Sequence, residues 1–179
     1  MPSFVAFLRA VNLGPTRKFP MAELRACLES AGFEGCETYI QSGNARFSCS
    51  MRSPSRVADR LEELFEEDRG FAVPTVVLTP AELREVYDDA VALEAPLPGE
   101  PRRYVTLLRA EPTPKAVEAI EALSLDGEAA RVRGRAVHVW VRDGYQNARL
   151  NNARIEKLCG VATTRDLKVV TTLAQRWGT

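Results

Sequence analysis

The spacing of apolar positions changes several times along the chain, and each change marks an element. Ser3 to Val11 is apolar apart from Arg9 and reads as a strand. From Pro20 the spacing becomes helical. Met21, Leu24, Leu28 and Ala31 fall on one face, and Gly32 supplies the stop. Two short runs of strand formers follow, about Glu37 to Gln41 and Asn44 to Ser50. The turn between them is built from Ser42, Gly43 and Asn44, whose glycine and asparagine accept positive φ at little cost. Ser53-Pro54 opens a second helix with a cap and a first-turn proline. Val57, Leu61, Leu64 and Phe65 form its apolar stripe, Gly70 ends it, and Thr75 to Thr79 reads as a short strand. The order strand, helix, strand, strand, helix, strand predicts a ferredoxin-like βαββαβ unit.

Thr79-Pro80-Ala81-Glu82 is a capping box that starts a helix running to about Leu93, with Leu83, Val86, Tyr87 and Ala90 inward. The stretch Ala95-Pro96-Leu97-Pro98-Gly99-Glu100-Pro101 can continue no element and reads as a linker. The pattern then restarts. Tyr104-Val105-Thr106-Leu107-Leu108-Arg109-Ala110 echoes Phe4-Val5-Ala6-Phe7-Leu8-Arg9-Ala10, one hundred positions earlier. A helix from Thr113-Pro114 and a hairpin turning at Gly134 follow. The expected fold is therefore α+β by tandem duplication. Residues 1–94 form the ferredoxin-like part and residues 95–101 the linker. Residues 102–179 form a related β-α-β-β unit, closed by helices at about Leu150 to Cys159 and Asp166 to Trp177.

Composition narrows the function. Apolar residues make up 45% of the chain, enough for a real core, while 24 basic and 24 acidic residues leave no global field for nucleic acid or an anionic membrane. Any basic site must be local. Cys27, Cys36, Cys49 and Cys159 lack metal-ligand spacing and read as reduced thiols, so no metal and no cofactor is expected. With no spanning apolar run and no secretory signal pattern, the expected location is the cytoplasm, without a membrane partner. His138, the sole histidine, sits in the strand alternation Val137-His138-Val139-Trp140 and reads as structural. No phosphate-loop or dinucleotide fingerprint is present. The acidic run from Glu62 to Asp68 reads as a solvated helix face.

Topology gathers a polar corner. In a βαββαβ unit the first and second strands run parallel, so the end of the first strand and the hairpin tip share one sheet edge. That edge collects Arg9 and Asn12, Arg17 and Lys18 from the loop before the helix, and Gln41, Ser42 and Asn44 from the tip. The N-terminus of the Pro20 helix adds free N–H groups. Such a corner suits a phosphate or carboxylate. Turn chemistry alone also accounts for Ser42, Gly43 and Asn44. Arg109, Arg131, Arg133 and Arg135 occupy the matching corner of the second half, and the run from Arg131 to Arg135 reads as a solvated, charged strand edge that blocks strand addition.

Three stretches resemble the bacterial family named only as domain of unknown function 1697. They are Leu8-Arg9-Ala10-Val11-Asn12-Leu13-Gly14 with Lys18-Phe19-Pro20-Met21-Ala22-Glu23-Leu24, then Thr38-Tyr39-Ile40-Gln41-Ser42-Gly43-Asn44 with Phe47, and Ala162-Thr163-Thr164-Arg165. The resemblance implies an α+β fold with a ferredoxin-like first part and a related second part. It implies no activity. The family's polar positions match Arg9, Asn12, Lys18, Gln41, Ser42, Asn44, Thr164 and Arg165. Ala10 stands where the family often has glycine, Pro15-Thr16 replaces a more flexible glycine-basic pair, and Asp166-Leu167 replaces the usual Asn-Trp.

The expected function is binding of a small anionic or nucleotide-like ligand at the first corner, with Thr164 and Arg165 completing it from the start of the last helix. The alternative is a transferase or hydrolase acting on a phosphorylated or nucleotide substrate there, with Thr164 or Ser42 as nucleophile. RNA binding through the sheet face is a weaker alternative and nucleic acid is not the favoured partner, because Phe4, Phe7, Tyr39 and Phe47 lack the glycine-flanked aromatic signature.

Overall fold

In the computed structural model, which describes residues 1–123 and 125–179, β1 (Ser3–Leu8) lies inside a sheet and every residue from Phe4 to Leu8 is buried. Burial on both faces explains why its sequence is apolar throughout rather than alternating. α1 (Met21–Ser30), β2 (Glu34–Tyr39), β3 (Asn44–Ser48), α2 (Pro54–Arg69) and β4 (Thr75–Leu78) complete the first unit. The sheet order is β2-β3-β1-β4, with β1 antiparallel to both β3 and β4. α1 and α2 send Leu24, Leu28, Val57, Leu61 and Phe65 into one core with Phe4, Ala6, Leu8 and Phe47. Ser53 Oγ caps α2 at the Arg56 N–H, and Gly70 closes that helix with φ +73°. Glu62 departs from the solvated-face expectation. It is half-buried, and its carboxylate accepts from the Thr75 N–H at 2.8 Å, tying α2 to the start of β4.

α3 (Pro80–Ala92) begins with the expected capping box. Thr79 Oγ1 accepts from the Glu82 N–H and Glu82 Oε2 from the Thr79 N–H. The compact units of the chain are Met1–Leu83 with Arg176–Thr179, and Arg84–Gln175. The Pro-rich stretch 95–101 forms no helix or strand.

The second unit runs β5 (Arg102–Leu108), α4 (Pro114–Glu121), β6 (Glu128–Arg133), β7 (Ala136–Val141), α5 (Asn152–Cys159) and β8 (Ala162–Asp166), followed by α6 (Leu167–Trp177). Its sheet order, β6-β7-β5-β8, repeats that of the first. The expectation of a β-α-β-β unit closed only by helices is corrected here. β8 is a true fourth strand, paired antiparallel with β5, so the second copy is also a complete βαββαβ unit. Ile120 of α4 and Ile155 of α5 pack with Leu108, Val137 and Val139 in its core.

The duplication extends to single hydrogen bonds. The Leu8 N–H donates to Gly43 O at 2.8 Å, and the Leu108 N–H to Arg135 O at 2.9 Å. The Arg9 N–H donates to Pro74 O, and the Arg109 N–H to Val161 O. Glu156 of α5 accepts from the Ala162 N–H, as Glu62 does from Thr75. Among the described residues no helix is long and apolar enough to cross a membrane.

Candidate functional site

The first corner is assembled by one side chain. Asn12 Nδ2 donates to Phe19 O and to Gln41 O, both at 2.8 Å, and Asn12 Oδ1 accepts from the Phe19 N–H at 2.8 Å. The amide thus clamps the loop before α1 to the hairpin tip. Phe19 anchors that loop from below, its ring edge-on to Phe65 at 5.2 Å and under the Arg69 guanidinium at 4.9 Å. Arg17 braces the other side, with Nε donating to Ala10 O, Nη2 to Ala72 O, and the guanidinium 4.8 Å from the Phe71 ring centre. Replacing Asn12 with Ala should cost about 2 kcal/mol, since it strands backbone groups that have lost a partner. Urea unfolding would measure the loss, and faster exchange of the Phe19 amide would localise it.

The backbone here is unusual. Among the described residues four non-glycines have positive φ: Ala10 (+58°), Asn12 (+58°), Arg17 (+56°) and Ile40 (+49°). All belong to this corner. The expected turn is corrected in one respect. Asn44 lies in β3 with extended backbone, while Ile40 takes the left-handed position beside Gly43. A β-branched residue in that region is an outlier.

Several of the proposed site residues serve as braces. Asn12 is spent on the clamp. Asn44 is 0% exposed and its Nδ2 donates to Tyr39 O and to Ser42 Oγ, so this pair stiffens the turn. Lys18 and Gln41 are exposed and Arg9 is half-buried. Leu13, at 81% exposure, stands on the same loop. α1 has no side-chain cap at its N-terminus, leaving first-turn N–H groups without helical partners. Glu23, the one acid of that turn, is paired with Arg69.

Thr164 and Arg165 are placed otherwise than expected. They lie within β8, not at a helix start, and strand alternation sends them to opposite faces. Thr164 Oγ1 joins a polar cluster with Tyr145 Oη (3.0 Å), Thr106 Oγ1 (2.8 Å) and Asn152 Oδ1 (3.0 Å), which ties α5 to the sheet. Burial raises the Tyr145 phenol's pKa. Arg165 is buried, its Nη1 donating to Thr163 Oγ1 and Thr164 O, and burial lowers its pKa to about 10. Asp166 caps the Lys168 N–H. Both residues belong to the second unit.

The second corner is braced by arginine rather than opened. Arg135 donates to Leu108 O and Arg109 O, Arg133 to Val132 O beside Glu121, and Arg131 to Ala130 O. Elsewhere the nucleophile candidates are poor. Burial pushes the Cys27 and Cys36 thiols to about 11 and raises those of Cys49 and Cys159. Among the described residues no group of three or more His, Cys, Asp or Glu could hold a metal ion. Phe4, Phe7 and Phe47 are buried, and Tyr39 lies beneath the Arg176 guanidinium at 5.2 Å, so this sheet presents no stacked aromatic platform.

No curated protein matches the sequence. A solved structure, that of the conserved bacterial protein SP0830 from Streptococcus pneumoniae, superposes with a TM-score of 0.70 at 21% identity, covering 97% of each chain. That likeness shows the fold. The model of a family described as protein of unknown function DUF1697 matches residues 1–138. The match includes the clamp, the loop and the hairpin tip, and stops before Ala162–Arg165. The chain belongs to the DUF1697 family, and its first corner lies wholly inside the stretch that defines the membership.

Proposed function

We propose that this protein binds a small anionic or nucleotide-like ligand at the corner that contains Arg9, Lys18 and Gln41. One observation carries the reading. The four left-handed non-glycine residues fall within residues 9–20 and 40–44, and those segments contain Arg9, Arg17 and Lys18 but no carboxylate. Backbone outliers persist where surrounding structure holds them, and they concentrate at ligand sites. The comparison between the two halves supports the same reading. The β1–α1 connection occupies residues 9–20, whereas its duplicate between β5 and α4 occupies only residues 109–113. A loop enlarged in one copy alone is more than a connection requires.

In this reading Arg9 and Lys18 neutralise the ligand's charge, the uncapped first turn of α1 donates N–H groups, and Gln41 sets orientation. Asn12, Ser42 and Asn44 hold these groups in place. Neither segment contains a histidine, cysteine or carboxylate, which favours binding over an enzyme that transfers protons. Thermal-shift titration with AMP, ATP and inorganic phosphate tests it. A saturable stabilisation by at least one of them is expected, reduced at least fivefold in affinity in the Lys18→Ala/Gln41→Ala double variant, whose substituted side chains are exposed. No saturable shift, or one indifferent to that double variant, overturns the reading.

A further inference from the structure

A separate cavity of about 700 Å³ opens in the second unit, between the start of β5 and the first two turns of α6. Its size is that of a pocket for a small organic molecule rather than for a bare ion. Two kinds of group line it. Arg102, Arg103 and Lys168 bring positive charge. Arg103 is held in place: its Nη2 donates to Ala90 O at 2.7 Å and its guanidinium lies 4.8 Å from the Trp140 ring centre. A guanidinium has five N–H donors, so most of its capacity is unused by that single bond. Burial lowers its pKa, as expected for a cation removed from water without a carboxylate beside it. Arg102 and Lys168 are exposed, and among the described residues their side chains make no hydrogen bond or ion pair. Adjacent strand residues point to opposite faces, so Arg102 and Arg103 can both reach this space only because it wraps the beginning of β5.

The other lining groups are acceptors. Thr171 Oγ1 donates its proton to Leu167 O at 2.9 Å and Thr172 Oγ1 to Lys168 O at 3.0 Å, so each hydroxyl offers the cavity lone pairs only. Glu100 and Asp166 add carboxylates, and Asp166 Oδ1 already accepts from the Lys168 N–H at 2.8 Å. A bare anion would leave these acceptors facing no donor. A neutral polyol would leave unmatched the excess of three cations over two carboxylates.

We propose that this cavity is a second ligand site, taking a hydroxylated organic oxyanion of sugar-phosphate size. The oxyanion meets Arg102, Arg103 and Lys168, and the ligand's hydroxyls donate to Thr171, Thr172 and Glu100. This site is independent of the corner formed by Arg9, Lys18 and Gln41, and each can fail alone.

Titration of the full chain with ribose 5-phosphate, gluconate, inorganic phosphate and ribose, followed by amide chemical shifts, tests the assignment. Saturable shifts are expected at residues 100–103 and 166–172 with ribose 5-phosphate, gluconate or both, and the two arms separate phosphate from carboxylate. Affinity should be at least tenfold weaker for inorganic phosphate and for ribose. It should also fall at least tenfold in the Arg102→Ala/Lys168→Ala double variant, whose replaced side chains are exposed and support no neighbour. Thr171→Val should weaken the organic ligand while leaving inorganic phosphate unaffected. Absence of saturable shifts there, shifts confined to residues 9–20 and 40–44, or equal affinity for inorganic phosphate and the organic anions would each overturn the proposal.

Discussion

Replacing Gly43 with alanine should destabilise the first unit more than any other single-methyl change at the corner. An added Cβ would stand 2.8 Å from Leu8 Cβ and 2.9 Å from Val11 Cγ2, both inside the distance real Cβ atoms keep. Neither neighbour can yield easily. Leu8 is the last residue of β1, locked by its own N–H to Gly43 O, and Val11 is buried in the same core. The backbone at Gly43 also has φ +80°, where an L side chain is disfavoured. A left-handed conformation costs about 1–2 kcal/mol and overpacking a further 1–3 kcal/mol, so a loss of about 3–4 kcal/mol is expected. Urea unfolding measures it. At Gly134, the turn glycine of the matching hairpin, an added Cβ would meet nothing within 4 Å. Gly134→Ala keeps the φ penalty without the clash and should cost clearly less. Equal losses in the two variants would show that close packing at Gly43 is not what demands glycine.

That contrast also shows what sequence makes legible. Gly43 reads as a turn residue because glycine between two strand-like runs has few other uses, but its neighbours come from β1, far away in the chain. Local signals were readable wherever the physics is local. The Ser53 cap and the Thr79–Glu82 capping box fall where expected, since each hydrogen-bonds within a few residues. The echo of Phe4–Ala10 in Tyr104–Ala110 pointed to the duplication because both copies place the same central strand. β8 was not legible. Thr163, Thr164 and Arg165 show no apolar alternation, and an edge strand beside β5 is stabilised by its partner rather than by its own composition. The missed strand then put Thr164 and Arg165 on one helix start, when alternation separates them. At the candidate site topology accounts for the β1 exit, the loop before α1 and the hairpin tip meeting, as the Asn12 bonds to Phe19 O and Gln41 O and the Leu8 N–H bond to Gly43 O show. The division of labour does not follow from topology. Asn12, Ser42 and Asn44 looked like ligand groups because short amides and hydroxyls serve ligands and backbones equally well. Only the three bonds of Asn12 reveal which it serves. Ile40 gave no sign of its left-handed backbone, because nothing in its residue type prefers it.

Acid should destabilise the second unit through His138. The residue sits in β7, opposite Val105 of β5 and Arg131 of β6, and is 1% exposed. Among the described residues neither of its ring nitrogens has a hydrogen-bond partner. Burial lowers its pKa from 6.5 to about 4, with the charges of Arg103 and Arg133 acting in the same direction. The folded state therefore prefers the neutral ring more strongly than the unfolded chain does. The associated stability is fully present above the unfolded pKa of 6.5 and is lost as pH falls from there through about 4. At 1.36 kcal/mol per pKa unit the loss is about 3 kcal/mol, large beside the stability of a small domain. Carboxylates also titrate across part of this range, so wild type alone is not decisive. His138→Leu isolates the effect. Leucine has similar volume and cannot take a proton, and it removes two buried nitrogens whose lack of partners costs about 1–3 kcal/mol. Urea unfolding should find the variant at least as stable as wild type at pH 7, and about 3 kcal/mol less sensitive to a change from pH 7 to below pH 4. Stability profiles that run parallel for the two proteins across that window would mean that His138 gains a partner or water on titration. The buried imidazole would then not be the acid-sensitive element of this sheet.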